Sequence, residues 1–119
     1  GVTERNKIMF GTAGHWYVYF TYGMHWMLNI VTGPVNYPAA ILIRGVASGK
    51  RRISGPGRLT KKLGIDRRLD GKPTSRRSGL WIEDRGVQVS ARNMRRSPRI
   101  GVAYAGLLWS KKQWRFYLN

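Results

Sequence analysis

The sequence predicts a single domain of mixed α and β structure, built around an antiparallel sheet. Its 119 residues suit one domain, in which roughly two-thirds of the unfolded surface can be buried. Apolar residues make up 42% of the chain, which also has 5 Trp, 6 Tyr and 3 Phe; this is too hydrophobic for a disordered basic tail. Alternating, strand-like runs are frequent and helical patterns are few.

Two adjacent runs predict a β-hairpin. Trp16 to Thr21 alternates with the period of two that is typical of a strand, and Trp26 to Val31 does the same. A three-residue loop, Tyr22 to Met24, would place Tyr19 and Asn29 on one face, whereas a two-residue loop would separate them. We expect the three-residue loop. The pairs that follow from it are Tyr19 with Met27 and Tyr17 with Asn29.

The later chain predicts a third strand, one helix and several short strands. The third strand lies within Ala39 to Val46 and ends at Arg44. The helix covers Arg58 to Leu63, with a proline near its first turn and Gly64 as its C-terminal stop. The Arg-, Gly-, Pro- and Ser-rich stretch 66–78 predicts a mobile loop. Further strands are predicted over Leu80 to Ile82, Val87 to Ser90, Ile100 to Tyr104 and Gln113 to Leu118.

The chain is strongly and unevenly basic. It has 22 Lys and Arg against 5 Asp and Glu, a formal charge of +17. Residues 1–49 hold three basic and one acidic residue, residues 50–99 hold sixteen and four, and residues 100–119 add three basic groups. Blocks of like charge are often only solvated surface, and that interpretation stays open. The excess is nevertheless too large for solubility alone, and it predicts a polyanionic partner.

Composition also argues against several kinds of site. Without cysteine there is no disulfide and no thiolate metal site, so we expect no metal. The most apolar stretch, Trp16 to Val31, is interrupted by polar residues and is shorter than the ~20 residues of a membrane span. The first ten residues contain no apolar signal core and the chain starts without methionine, so we expect a fragment.

Several motifs follow one another along nearly the whole chain. They are Thr3-x-Arg5-Asn6 with Met9-Phe10, Gly14-x-x-Tyr17-Val18-Tyr19-Phe20-x-Tyr22-Gly23-Met24, Leu28-Asn29, Leu42-Ile43-Arg44, Gly55-Pro56-Gly57-x-Leu59-Thr60 with Leu63-Gly64-Ile65-Asp66, Arg99-Ile100-Gly101-Val102 and Trp114-Arg115-Phe116-Tyr117. In this order they resemble the alkyladenine (3-methyladenine) DNA glycosylases. Each motif alone would be weak, but their shared order makes the resemblance specific.

The resemblance implies an α+β fold over residues 1–119, with a curved antiparallel sheet and a β-hairpin that inserts into DNA. It implies a monofunctional base-excision repair enzyme that flips out alkylated purines and hydrolyses the N-glycosidic bond, which leaves an abasic site. The expected partner is double-stranded DNA with alkylated bases. A monomer would bind it without a cofactor, in the bacterial cytoplasm or the eukaryotic nucleus.

The resemblance also assigns site residues. Tyr19 matches the tyrosine that stacks on the flipped base, and a cationic alkylated purine would favour such a ring. Asn29 matches the residue that crowds the amino group of normal guanine. Tyr22 matches the wedge that fills the gap in the duplex. Arg44 matches the arginine that holds the attacking water, together with a backbone carbonyl near Ile100 to Val102.

The residues themselves leave other roles open. Tyr22 could be a turn aromatic packed on its neighbour, Asn29 an ordinary strand-end residue, and Arg44 a phosphate contact or salt-bridge partner. For the DNA backbone, the helix start from Ser54 onward offers free amides, with Arg58 and Lys61 close by.

One part of the family pattern is missing from the sequence. The general base of the family is a glutamate upstream of the Thr-x-Arg-Asn motif, accompanied by a tyrosine and a histidine, and all three would precede Gly1. None of the five acids matches that base, and neither His15 nor His25 matches the histidine. We therefore expect the chain to bind DNA but to release bases poorly. The segment between Arg44 and Ser54 is also shorter than usual, which leaves the DNA contacts there open.

Two alternatives from other classes remain. One is a catalytically dead basic module that binds DNA or RNA, for which the charge and the aromatic residues are equally natural. The other is a remnant that does not fold and aggregates through unpaired strand edges.

Overall fold

A computed structural model describes residues 1–4 and 6–118. It divides the chain into two compact units, Gly1–Ile82 and Glu83–Asn119. Within each unit the sheets are antiparallel and accompanied by helices, which confirms the mixed α/β class. A single domain over 1–119 stays a prediction. Arg5, part of the first family motif, lies outside the described residues.

The first unit contains two small sheets and one α-helix. Its strands are β1 (Trp16–Thr21), β2 (His25–Val31), β3 (Ala40–Leu42), β4 (Gly45–Ser48) and β5 (Arg51–Ser54), followed by α1 (Pro56–Leu63). The order β1-β2-β3 forms one sheet, and β4 pairs with β5 in another. Short 3-10 helices cover Lys7–Phe10, Arg67–Leu69 and Arg76–Ser78.

The β1–β2 hairpin has the predicted three-residue loop. Tyr17 pairs with Asn29, Tyr19 with Met27 and Thr21 with His25. The face of β1 and β2 that points away from Tyr17 and Asn29 packs against α1. Trp16, Val18 and Leu28 lie on this face and are buried in the core. Leu59 of α1 and Ile65 complete this buried cluster.

The helix is close to its prediction. It starts at Pro56, which fits the first turn because a helix needs no amide donor there. It ends before Gly64, whose φ of 68° is the left-handed conformation that glycine adopts most easily. The Ile65 amide then donates to the Thr60 carbonyl at 2.9 Å, which closes the C-terminal cap.

The predicted third strand is wrong in its second half. β3 stops at Leu42, and Gly45 and Val46 belong to β4, which turns away to pair with β5. Gly45 allows this pairing, because a Cβ there would lie 2.8 Å from the Ile53 carbonyl oxygen. The apolar run 39–46 therefore spans two sheets, which periodicity alone does not reveal.

The stretch 66–78 is not a free loop but lines the outer edge of β1. The Trp16 amide donates to the Lys72 carbonyl at 2.8 Å, and the Gly71 amide donates to the Trp16 carbonyl at 2.8 Å. The Val18 amide donates to Oδ1 of Asp70, also at 2.8 Å. The predicted mobility is thus wrong, because these bonds satisfy backbone groups of an edge strand.

The second unit contains a strand pair and a short helix. Its elements are β6 (Met94–Ser97), α2 (Gly106–Ser110) and β7 (Arg115–Leu118), with 3-10 helices over Ala91–Asn93 and Ala103–Ala105. β7 confirms the last predicted strand, whereas the strands predicted over Leu80 to Ile82, Val87 to Ser90 and Ile100 to Tyr104 are wrong. Those short apolar runs find no strand partner among the described residues. The Arg-rich β6 gives no alternating apolar signal, and Arg96 lies over the ring of its register partner Phe116, 5.1 Å away.

Asp70 makes the stability of this arrangement depend on pH. Burial raises the pKa of the Asp70 carboxyl above its ordinary 3.8, so the folded protein holds that proton more tightly than the unfolded chain. Its favourable contribution is complete below pH 3.8 and is lost as the pH rises through the folded-state pKa. Asp70→Asn keeps an acceptor for Val18. Urea denaturation should therefore show the variant gaining stability relative to wild type as the pH rises.

Asp66→Asn is the matched control, and its stability relative to wild type should change with pH in the opposite direction. The hydrogen bond from the Arg68 side chain lowers the pKa of the Asp66 carboxyl, so its contribution exists above pH 3.8 and is lost as the pH falls through the folded-state pKa. The same pH trend in both variants would contradict the role assigned to Asp70.

Candidate functional site

The face of the β1–β2 sheet opposite the core carries the predicted pocket residues. The register puts Tyr17 beside Asn29 in one row and Tyr19 beside Met27 in the next. The rings of Tyr17 and Tyr19 are neighbours, with centroids 5.1 Å apart and planes tilted by 36°. Tyr19 and Asn29 are therefore brought together, as the three-residue loop predicts.

Asn29 is held in a fixed orientation in the middle of the sheet. Its side chain is 6% exposed, and β1 and β3 flank it through Tyr17 and Leu42. Its Nδ2 donates to the Tyr17 carbonyl at 3.2 Å and lies 3.4 Å from the Met27 carbonyl. A buried amide fixed by backbone carbonyls is more than a strand-end residue, because it presents a defined polar group on an otherwise aromatic face.

Arg44 lies just beyond β3. The Ile43 amide donates to the Leu28 carbonyl at 2.9 Å, so the chain still follows β2 at that point. The period of two from Leu42, the neighbour of Asn29, puts Arg44 on the same face. Arg44 is half-buried, and its carbonyl accepts the Gly55 amide at 2.8 Å.

Tyr22 projects from the hairpin tip. Its side chain is 83% exposed, so it is not packed on a neighbouring residue. Its φ is 55° and that of Gly23 is 64°, as in the primed turns that suit tight hairpins. Left-handed backbone is rare for a bulky residue and costs on the order of 1–3 kcal/mol.

The two predicted phosphate contacts, Arg58 and Lys61, line a basic groove between α1 and β5. The groove also includes Arg52, Ile53, Ser54 and Lys62. The prediction missed Arg52 and Lys62, although residues 45–65 contain six basic residues and no acidic one, a signal that the sequence does carry. Such a groove attracts anions.

The acids of the chain have partners within the protein. Glu4 accepts from Nζ of Lys7 at 3.0 Å, Asp66 pairs with Arg68 at 2.9 Å, and Asp70 accepts the Val18 amide. In the second unit, Glu83 accepts from Arg85 at 2.7 Å and Asp84 from the Gly86 amide at 2.9 Å.

His15, for which the sequence predicts no catalytic role, and the segment Ile100 to Val102 make local contacts. Nδ1 of His15 lies 3.1 Å from the Thr12 carbonyl, which fits a structural role. Ile100 to Val102 belongs to the second unit, where the Val102 carbonyl accepts the Ala105 amide at 2.9 Å. In the described ranges, no three His, Cys, Asp or Glu side chains gather as metal ligands, and no helix there is long and apolar enough to cross a membrane.

Comparison with known proteins identifies similar sequences. The family model described as methylpurine-DNA glycosylase matches residues 1–119. A protein of Psychrobacter cryohalolentis is 42% identical over 94% of this chain and 59% of its own length. Proteins of Methanocella arvoryzae and Carboxydothermus hydrogenoformans are 41% and 38% identical, over 98% and 100% of this chain and 64% and 68% of their own lengths. All three bear the name "Putative 3-methyladenine DNA glycosylase", and this chain spans about three-fifths of the first two.

Asn29→Ala should reduce the free energy of unfolding by about 1–2 kcal/mol, because the buried amide loses its bonds to the Tyr17 and Met27 carbonyls. Asn93→Ala, at an exposed position, is the control and should stay within about 0.5 kcal/mol of wild type. Equal values for the two variants in denaturant unfolding would mean that the Asn29 amide is not fixed by the sheet.

Proposed function

The chain belongs to the methylpurine-DNA glycosylase family, and from this membership we propose that it rotates alkylated purines of the 3-methyladenine type out of duplex DNA for hydrolysis of their N-glycosidic bond. The observation that carries the proposal is the exposed Tyr22 ring at the tip of a hairpin whose adjacent face bears Tyr19 and Asn29. The proposed wedge and the proposed base site are thus parts of one hairpin.

Tyr22 acts as the wedge. Rotating a nucleotide out of the duplex costs a few kcal/mol in lost stacking and pairing. An aromatic ring inserted at the vacated position restores part of that stacking. The 83% exposure of the Tyr22 side chain supports this role, because the ring is available for contact with DNA.

Tyr19 and Asn29 recognise the flipped base. A cationic alkylated purine gains roughly 0.5–2 kcal/mol over an aromatic face, whereas its neutral parent does not. Asn29 crowds the amino group that distinguishes guanine, and its bonds to the Tyr17 and Met27 carbonyls keep the amide from turning aside. The same side chain is therefore structural and selective.

Arg44 holds the attacking water. The water oxygen bonds to C1′, the bond between C1′ and the base nitrogen breaks, and the base leaves with the electron pair. A carboxylate accepts the proton of the water. No acid of the first unit matches the general base of the family, so we assign this base to none of them and expect the 119-residue chain to release bases slowly.

Arg58 and Lys61 bind DNA phosphates through the basic groove, and the missed residues Arg52 and Lys62 join them there. The enzyme works as a monomer wherever cellular DNA is held, the bacterial nucleoid or the eukaryotic nucleus. The reaction is monofunctional and ends at an abasic site.

Tyr22→Ala should lower the preference for a duplex with an abasic-site analogue over an undamaged duplex by roughly tenfold, because stacking on an aromatic ring is worth about 1–3 kcal/mol. Fluorescence anisotropy with the two duplexes measures this ratio. Tyr104→Ala is the matched control, because that tyrosine is 87% exposed in the second unit. It should leave the ratio unchanged.

One outcome would contradict the proposed function, and another would contradict only the expected slow release of bases. A wild-type chain that binds both duplexes equally would be a basic nucleic-acid-binding module without lesion recognition. Rapid release of labelled 3-methyladenine, lost in Tyr19→Ala, would keep the pocket but make one of the five acids present the general base.

Arg58→Gln combined with Lys61→Gln should reduce the slope of log K against log salt by about 1.8, since each phosphate contact contributes about 0.9. Lys111→Gln with Lys112→Gln removes the same charge from the second unit. Equal slopes for the two double variants, measured between 50 and 200 mM salt as approximate limits, would mean that net charge rather than the basic groove binds the backbone.

A further inference from the structure

The first turn of α1 lies directly against the tip end of β2. Gly57 is buried there, and a Cβ on it would lie 2.6 Å from Nδ1 and 2.7 Å from Cγ of His25. These distances are shorter than any packed side chain tolerates. Gly57 has no positive φ, so glycine is required here by the close approach of the imidazole and not by the backbone conformation.

A hydrogen bond fastens the same part of the helix to the residue after His25. Oγ1 of Thr60 donates to the Trp26 carbonyl at 2.9 Å and lies 3.1 Å from the Gly57 carbonyl. Thr60 is buried, as is its neighbour Leu59 in the core. Contact with His25 is therefore made by a part of the helix that cannot slide along the sheet.

The helix start also reaches the proposed water-holding residue. The Gly55 amide donates to the Arg44 carbonyl at 2.8 Å. One short segment, 55–60, thus contacts the end of β2 on one side and the end of β3 on the other. This segment therefore connects the base of the hairpin tip to the backbone of Arg44.

The tip needs such support. Tyr22, Gly23 and Met24 are exposed, and two of them have left-handed backbone. Inside the loop, the Met24 amide donates to the Thr21 carbonyl at 3.1 Å. The end of a two-stranded ribbon is pliable, so a contact at His25, the register partner of Thr21, steadies the base of the loop.

We propose that Gly57 and His25 form a positioning pair that fixes the hairpin tip and thereby the direction of the Tyr22 wedge. The contact itself stands on the structure alone, and its consequence for DNA rests on the proposed function. Neither residue touches the reacting atoms. Gly57→Ala displaces the imidazole and frees the tip, although alanine is the better helix former.

The first measurement needs no DNA. In ¹H–¹⁵N spectra of the full 119-residue chain, Gly57→Ala and His25→Ala should shift and broaden the amide resonances of Tyr22 and Gly23. Gly49→Ala is the matched control: its Cβ meets open space, while its φ of 60° makes the substitution unfavourable. It should lower the melting temperature without moving the tip resonances. Unchanged tip resonances in Gly57→Ala would overturn the proposal, whatever the protein binds.

The second measurement uses the two duplexes described above. Gly57→Ala and His25→Ala should each lower the preference for the abasic-site analogue by roughly threefold to tenfold, within the range expected for loss of one stacking contact. The double variant should keep at least the preference of the single variant that has lost more of it. The reason is that both substitutions remove the same contact between Gly57 and His25. Additive losses, or full recovery in the double variant, would overturn the pairing.

The two measurements separate the two proposals. A tip that moves in Gly57→Ala while wild type shows no lesion preference would support the positioning pair and contradict the glycosylase proposal. A preference for the abasic-site duplex that depends on Tyr22 but not on Gly57 or His25 would support the glycosylase proposal and contradict the positioning pair.

Discussion

The pairing register of the β1–β2 hairpin determines which side chains of this protein face the core and which face the site. Successive residues of a strand point to opposite faces, so a slip of one residue would exchange the two sets. With Thr21 opposite His25, Trp16, Val18 and Leu28 enter the core while Tyr19 and Asn29 share the other face. Burial of Trp16, Val18 and Leu28 thus holds Tyr19 and Asn29 on that face.

The same register governs the helix and the distribution of charge. Because Leu59 is buried on the core side of the hairpin, α1 turns Arg58, Lys61 and Lys62 outward. These cations lie near one another without an acidic residue anywhere in 45–65, so they repel one another in the free protein. A bound polyanion would relieve that repulsion. Burial of Leu59 in the core therefore also determines where the positive charge of the groove lies.

Local patterns predicted the parts of the fold that local physics decides. The alternation in residues 16–31, the three-residue loop, and the proline and glycine that bound α1 are all short-range features. The wrongly predicted segments are those whose structure depends on hydrogen-bond partners far away in the sequence. The run 39–46 divides between two sheets, and the edge of β1 orders the stretch 66–78 through bonds to Trp16 and Val18. The candidate site divides in the same way. Tyr19, Asn29 and Tyr22 lie on the hairpin. The basic run 45–65 is visible in the sequence, but only the packing of α1 beside β5 shows that Arg52 and Lys62 line one groove with Arg58 and Lys61.

The backbone of Tyr22 places the stability of the loop and the proposed wedge role in opposition at one residue. A φ of 55° suits glycine or asparagine, and selection for stability alone would favour either at this position. A bulky ring that is almost wholly in water gains little from folding, so under the proposed function its benefit arises in the DNA complex and not in the free protein. Under the proposed function, drift toward a more stable loop is therefore a route by which a scaffold of this kind would lose the wedge while its core remained intact.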